Sequence, residues 1–153
     1  MPYKSKYTRE IGKVKKWAKK TRGTTVVMAY GQTDRFMPED KLIIINTQQG
    51  ERSQLFTLLH ECGHLMNRDN KMQYKNGKYK LLAKSDDMGG TPIKSYEYRV
   101  EYIEEEIKAW RNGEVLADRL GIKLDKAAYN ACAAKFIMTY VDWAAERQWD
   151  APA

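Results

Sequence analysis

A chain of 153 residues with two cysteines, Cys62 and Cys132, has the length for one domain with its own core and too few cysteines for a disulfide framework. Its apolar runs, Leu42 to Ile45 among them, are no more than strand-sized, and its charged first residues lead into no apolar stretch; this argues against a membrane-spanning helix or a secretory leader, and the expected location is cytoplasmic. The net charge of +7 is local: residues 1–22 carry nine Lys or Arg against Glu10 alone, so they hold +8 and the rest of the chain −1.

Residues 8–20 read as a helix, with Tyr7, Ile11, Val14 and Ala18 on one face and Gly23 as its stop. Thr24–Tyr30 is rich in β-branched residues and reads as a strand; Gly31–Pro38 reads as a turn or loop. Lys41–Asn46 reads as a second strand, apolar on both faces. A helix is expected over about 53–67, turning Leu55, Phe56, Leu59 and His60 inward. Asn76-Gly77, between Tyr74 and Tyr79, has the form of a tight hairpin turn, and residues 86–92 that of an irregular loop. Residues 95–120 read as a long helix closed by Gly121, although in its first part Tyr96, Tyr98, Val100 and Tyr102 alternate with polar residues, which is also a strand signal. Asp125 caps a last helix to about Trp149, whose apolar residues (Tyr129, Cys132, Ala133, Phe136, Ile137, Tyr140, Val141, Trp143) run round much of its circumference and predict a central place in the core. The expected architecture is α+β over a single domain, residues 1–153: a small mixed sheet packed on the helix at 53–67, the helix at 95–120 and the C-terminal helix.

Residues 60–64 read His-Glu-Cys-Gly-His, an HExxH pattern inside a predicted helix. A helix turns about 100° per residue, so His60 and His64 project from nearly the same side and both imidazoles reach one ion. Glu61 stands to the flank, within reach of a water that a zinc ion would activate. There it serves as general base during attack on a carbonyl. The plainer alternative is two ordinary histidines on a helix. Against it stands the fact that the chain's only two His both fall in this motif.

A catalytic zinc usually takes three protein ligands, and with no third His a carboxylate or a Cys must supply one. The extended pattern HExxHxxGxxH fails, since Asn67 and Asn70 stand where its Gly and last His would be. Glu104-Glu105-Glu106 on the long helix is the best source. Glu106 lies in the apolar stripe of Ile103, Ile107, Trp110, Gly113 and Ala117, where an unpaired carboxylate would be costly. It is the favoured ligand; Glu105, at the edge of that stripe, is second and Asp69 third. Glu104 aligns with Glu101, Lys108 and Arg111 on a solvated face. Cys62 and Cys132 read as small core residues.

HECGH, followed tens of residues later by a helix carrying a glutamate (EEEIKAWRNGEVLADRLGI, residues 104–122), resembles the gluzincin type of zincin. The region of about 40–121 is similar to small metallopeptidase-like proteins of phages and bacteria near the ImmA/IrrE group. The resemblance implies a minimal zincin fold and Zn²⁺ as cofactor. It also implies a protein or peptide substrate, expected to be one specific regulatory protein. It further implies that the strand before the active helix, Leu42–Asn46, receives an extended peptide as an edge. A donor to the oxyanion is implied as well, with Tyr96, Tyr98, Arg99 and Tyr102 as candidates.

The resulting expectation is a zinc metallopeptidase of narrow specificity, with an amide hydrolase of another kind as one alternative. A second alternative is a nucleic-acid-binding or protein-interaction module with a non-catalytic zinc site. For that reading the basic helix offers Lys13, Lys15, Lys16, Lys19 and Lys20 as phosphate contacts. The bland counterpart is a solvated face whose Lys stems cover Trp17.

Overall fold

In the computed structural model, which describes residues 5–146, Ser5 opens the first helix: its hydroxyl accepts from the Thr8 N–H at 3.1 Å. That helix, α1 (Lys6–Arg22), ends where Gly23 turns left-handed at φ 64°; the Gly23 N–H donates to the Lys19 carbonyl and the Thr24 N–H to that of Ala18. Ile11, Val14 and Ala18 face inward along it, as their spacing demands.

Three strands follow: β1 (Thr25–Ala29), β2 (Arg35–Met37) and β3 (Leu42–Asn46). Their order in the sheet is β1-β3-β2, with β3 parallel to β1 and antiparallel to β2. Two sequence expectations change here. The segment read as a loop, 31–38, contains β2. And β3 lies at the centre of the sheet, so it cannot receive a peptide: both its edges are already hydrogen-bonded to neighbours. Asp34 fixes the start of β2 against the end of β3, its carboxylate accepting from the Asn46 N–H and from Gln49 Nε2. Ile43 and Ile45 are fully buried against the helices.

The remaining elements are α2 (Glu51–Asn67), α3 (Lys71–Asn76), α4 (Lys80–Asp87), α5 (Tyr96–Arg119) and α6 (Lys126–Ala145). α2 and α5 form the closest pair. A Cβ on Gly63 would collide with the Ala109 carbonyl, and one on Gly113 would lie 2.8 Å from the Leu59 carbonyl oxygen. Glycines at both crossing points therefore let the two backbones touch. Asn112 then bridges the pair, its Nδ2 donating to the Gly63 carbonyl at 3.1 Å and to Asn67 Oδ1 at 2.8 Å.

The hairpin expected at Asn76-Gly77 is absent. Asn70 caps α3 by accepting from the Gln73 N–H, and Gly77 ends that helix by donating back to the Gln73 carbonyl. Tyr74 and Tyr79, whose flanking positions suggested paired strands, instead bury with Leu82, Ala83, Tyr98 and Trp143 in a satellite cluster apart from the main core. α6 is also not central: its buried residues are Tyr129, Ala133 and Trp143, while Phe136, Met138 and Val141 are exposed. It is an outer layer laid on α5 by one stripe, and its apolar circumference misled the periodicity argument. Its expected extension to Trp149 falls outside the described residues. Among the described residues no helix is long and apolar enough to cross a membrane.

Candidate metal centre

The α2–α5 contact that the two glycines permit brings three side chains together in a low-dielectric setting. One ligand atom from each of His60, His64 and Glu106 lies within 4.8 Å of the others. The Glu106 carboxylate sits between the rings: Oε2 is 2.9 Å from His60 Nε2, and Oε1 is 3.3 Å from His64 Nε2. Burial works to raise the Glu106 pKa. The two imidazoles outweigh it and hold the carboxyl well below the usual carboxylate range.

Glu105 takes a different position. Predicted at the edge of the apolar stripe, it is as buried as Glu106 and meets the other nitrogen of His64, with Nδ1 to Oε2 at 2.7 Å. It grips the ring from behind. Burial alone would lower the His64 pKa; Glu105 and Glu106 together raise it well above the ordinary imidazole value. Asp69, the third candidate, is engaged elsewhere in a two-pronged pair with Arg22 of α1, at 2.8 Å on each prong.

His60 is held differently. The Trp110 indole lies flat on its ring, with centroids 4.2 Å apart and planes 7° from parallel. Trp110 is in turn braced by Tyr129, whose hydroxyl donates to the Trp110 carbonyl at 2.6 Å, and by a stacked Phe136. Glu61 is buried on the flank of the same helix, its carboxylate 3.8 Å from His60 Nδ1. Burial pushes its pKa up, against the opposing pull of His64 and His60. Cys62 is fully buried and Cys132 partly so, both free thiols packed with the core as expected.

The three side chains lie on the floor of a cleft of about 630 Å³. One wall is the β2 edge with its flanking turn, from Asp34 to Asp40. The opposite wall includes Arg68, Tyr74 and Asp86, where Arg68 donates to Asp86 Oδ2 at 2.7 Å and to the Tyr74 hydroxyl at 3.0 Å. Of the four residues proposed as oxyanion donors, Tyr102 alone lines this cleft. Tyr96 is 69% exposed, Tyr98 belongs to the satellite cluster, and Arg99 is buried with its guanidinium donating to the carbonyls of Ala144 and Glu146. The sequence argument missed Tyr140, which reaches the cleft from α6 and stacks obliquely on Tyr102 at 5.3 Å. A tyrosine on a packing face has a hydroxyl that needs a destination, and that was the available signal.

Two imidazole nitrogens and one carboxylate oxygen around a common point, with open cleft on the fourth side, match the donor set of a catalytic rather than a structural metal site. A His-Glu-x-x-His helix crossed by a glutamate-bearing helix beneath a small mixed sheet defines a minimal zincin. The chain belongs to the M78 peptidase family, whose IrrE N-terminal-like domain profile it matches over residues 24–131. No curated protein and no solved structure shows a significant match to it.

Proposed function

We propose that this chain is a zinc-dependent metallopeptidase of narrow specificity, with His60, His64 and Glu106 as metal ligands and Glu61 as general base. The observation that carries the reading is the Glu106 carboxylate lodged between the two Nε2 atoms of the motif histidines. Family membership adds peptidase chemistry as the expected class. The donor set suits Zn²⁺, which when bound supplies a Lewis acid and lowers the pKa of a coordinated water to about 7.

The chain's own residues do the rest. With zinc bound, Glu105 would accept from His64 Nδ1–H and so fix the tautomer in which Nε2 can act as a ligand. Trp110 fixes the plane of the His60 ring. Glu61, whose pKa burial raises, accepts the proton of the attacking water and returns it to the leaving amine. An extended substrate adds to β2, which pairs on one side alone among the described residues and walls the cleft. The hydroxyls of Tyr102 and Tyr140, free of hydrogen bonds among the described residues, are placed to donate to the developing oxyanion. A small cleft with one short receiving strand favours one regulatory protein as substrate over general digestion.

Elemental analysis and cleavage of a synthetic peptide library, read by mass spectrometry, test this together. Wild type and Glu61→Gln should each carry about one zinc per chain. Glu106→Ala should lose it, and wild type alone should cut. Zinc retention in Glu106→Ala would remove Glu106 from the ligand set. Equal cutting by Glu61→Gln would remove the general base.

A further inference from the structure

The outer face of α1 lies outside both the cleft and the family-matched segment, which begins at residue 24. At about 100° per residue, Arg9, Lys13, Lys16, Lys19 and Lys20 fall within about 120° of arc on the side opposite Ile11, Val14 and Ala18. All five are exposed. The helix's one acid, Glu10, is buried and lies off this face. Lys13, Lys15, Lys16 and Lys20 have no hydrogen bond or ion pair among the described residues. Like charges three and four residues apart oppose helix formation. Gly12 opposes it too, and it stands within this face, toward its Lys19 side, with nothing within 4 Å of where its Cβ would be. Lys19 and Lys20 suit the C-terminal end of the helix dipole, and Lys19 donates to Thr25 Oγ1, but the charges of Arg9, Lys13 and Lys16 and the glycine do nothing to help the helix fold.

We propose that this face binds the phosphate backbone of nucleic acid without regard to sequence. Arg9 to Lys20 spans about 17 Å along the helix, a length that meets several phosphates of a duplex. The cations are mostly lysines, point charges suited to phosphate rather than the planar forks that read base edges. Gly12 leaves the backbone open to close approach between them. A bilayer fits less well, because the apolar stripe of α1 is spent on the protein core and leaves nothing to enter acyl chains. No residue of α1 lines the cleft. The helix packs on α2 and β1, and β1 is the sheet edge opposite β2, so a bound duplex leaves the cleft open.

The test is fluorescence anisotropy of the full chain with a labelled mixed-sequence DNA duplex of about 20 base pairs, titrated between about 50 and 200 mM salt. Wild type should bind at low salt and weaken steeply as salt rises. The triple variant Lys13→Glu, Lys16→Glu, Lys20→Glu should bind at least about tenfold more weakly, with the log–log salt slope reduced by about 3. A control with the same charge change at exposed positions on other helices, Lys75→Glu, Lys84→Glu, Lys108→Glu, should retain most of the binding. Circular dichroism checks that both triples stay folded. Absence of duplex binding by wild type at low salt overturns the proposal. So does an equal loss in the control, which would make the effect one of net charge alone. Binding to phosphatidylserine vesicles without binding to the duplex overturns it in favour of a membrane surface. None of these variants touches the cleft, so the result stands apart from the peptidase reading.

Discussion

The Trp110 indole lies against the His60 imidazole, 4.2 Å between centroids and 7° from parallel, and so forms the back plate of the candidate metal centre. Replacing it with alanine opens a cavity under the site and should cost about 3–5 kcal/mol of stability. Zinc affinity should fall with it, because His60 gains rotamers that point away from Glu106. Trp110→Phe should recover most of the affinity by restoring a flat surface. Denaturant unfolding of the metal-free variants, beside zinc competition with a chelating dye, separates the two effects. Unchanged zinc affinity in Trp110→Ala would show that the stack positions nothing.

Glu105 holds His64 from the nitrogen that faces away from Glu106. Glu105→Ala should therefore leave the three-residue donor set intact yet weaken zinc binding by about 10–100-fold, the usual effect of losing an orienting partner. Glu104→Ala, on the exposed side of the same helix, should change nothing measurable. If the two variants bind zinc alike, Glu105 has no orienting role.

Gly63 is where α2 and α5 touch. Any side chain there drives the two helices apart, and with them His64 from Glu106. Gly63→Ala should destabilise the protein by at least about 1–3 kcal/mol and lower its zinc content. Gly12→Ala, at an open helical position, should instead raise stability by about 0.5–1 kcal/mol. Thermal unfolding of both variants gives the two signs directly.

The buried Glu61 carboxyl predicts a pH dependence in the metal-free protein. Burial, the largest influence, raises its pKa, and His64 and His60 only partly offset this. An acid whose pKa rises on folding has its full stability below the unfolded value, about 4.3, and loses it as pH climbs through the folded value. Glu61→Gln removes that loss. The metal-free variant should melt above wild type at neutral pH, and the two curves should converge below about pH 4. A gap that stays constant from acid to neutral pH would mean that burial of Glu61 carries no penalty.

The sequence by itself determined the parts that depend on local periodicity. Four residues of helix return a side chain to the same face, so His60 and His64 had to meet whatever surrounded them. A carboxylate inside an apolar stripe needs a partner, and that drew attention to Glu106 before its neighbours were known. The long helix α5 and the family relationship were legible for the same reason: both rest on patterns within short stretches of chain.

Tertiary structure alone decided which groups face these residues across space. Glu105 and Glu106 are adjacent in sequence, yet one meets His64 Nδ1 and the other lies between the two Nε2 atoms, because the glycine contacts set how α5 crosses α2. β2 is three residues long, too short to carry an alternation, and it takes its strand conformation from pairing with β3. That pairing moved the free edge from Leu42–Asn46 to Arg35–Met37. The Asn-Gly pair that looked like a hairpin turn ends a helix, because Tyr74 and Tyr79 found apolar partners on α5 and α6 rather than on each other's strands. And α6, apolar nearly all round, is an outer layer that brings Tyr140 to the cleft: periodicity tells which faces are apolar, but only packing chooses which of them is covered.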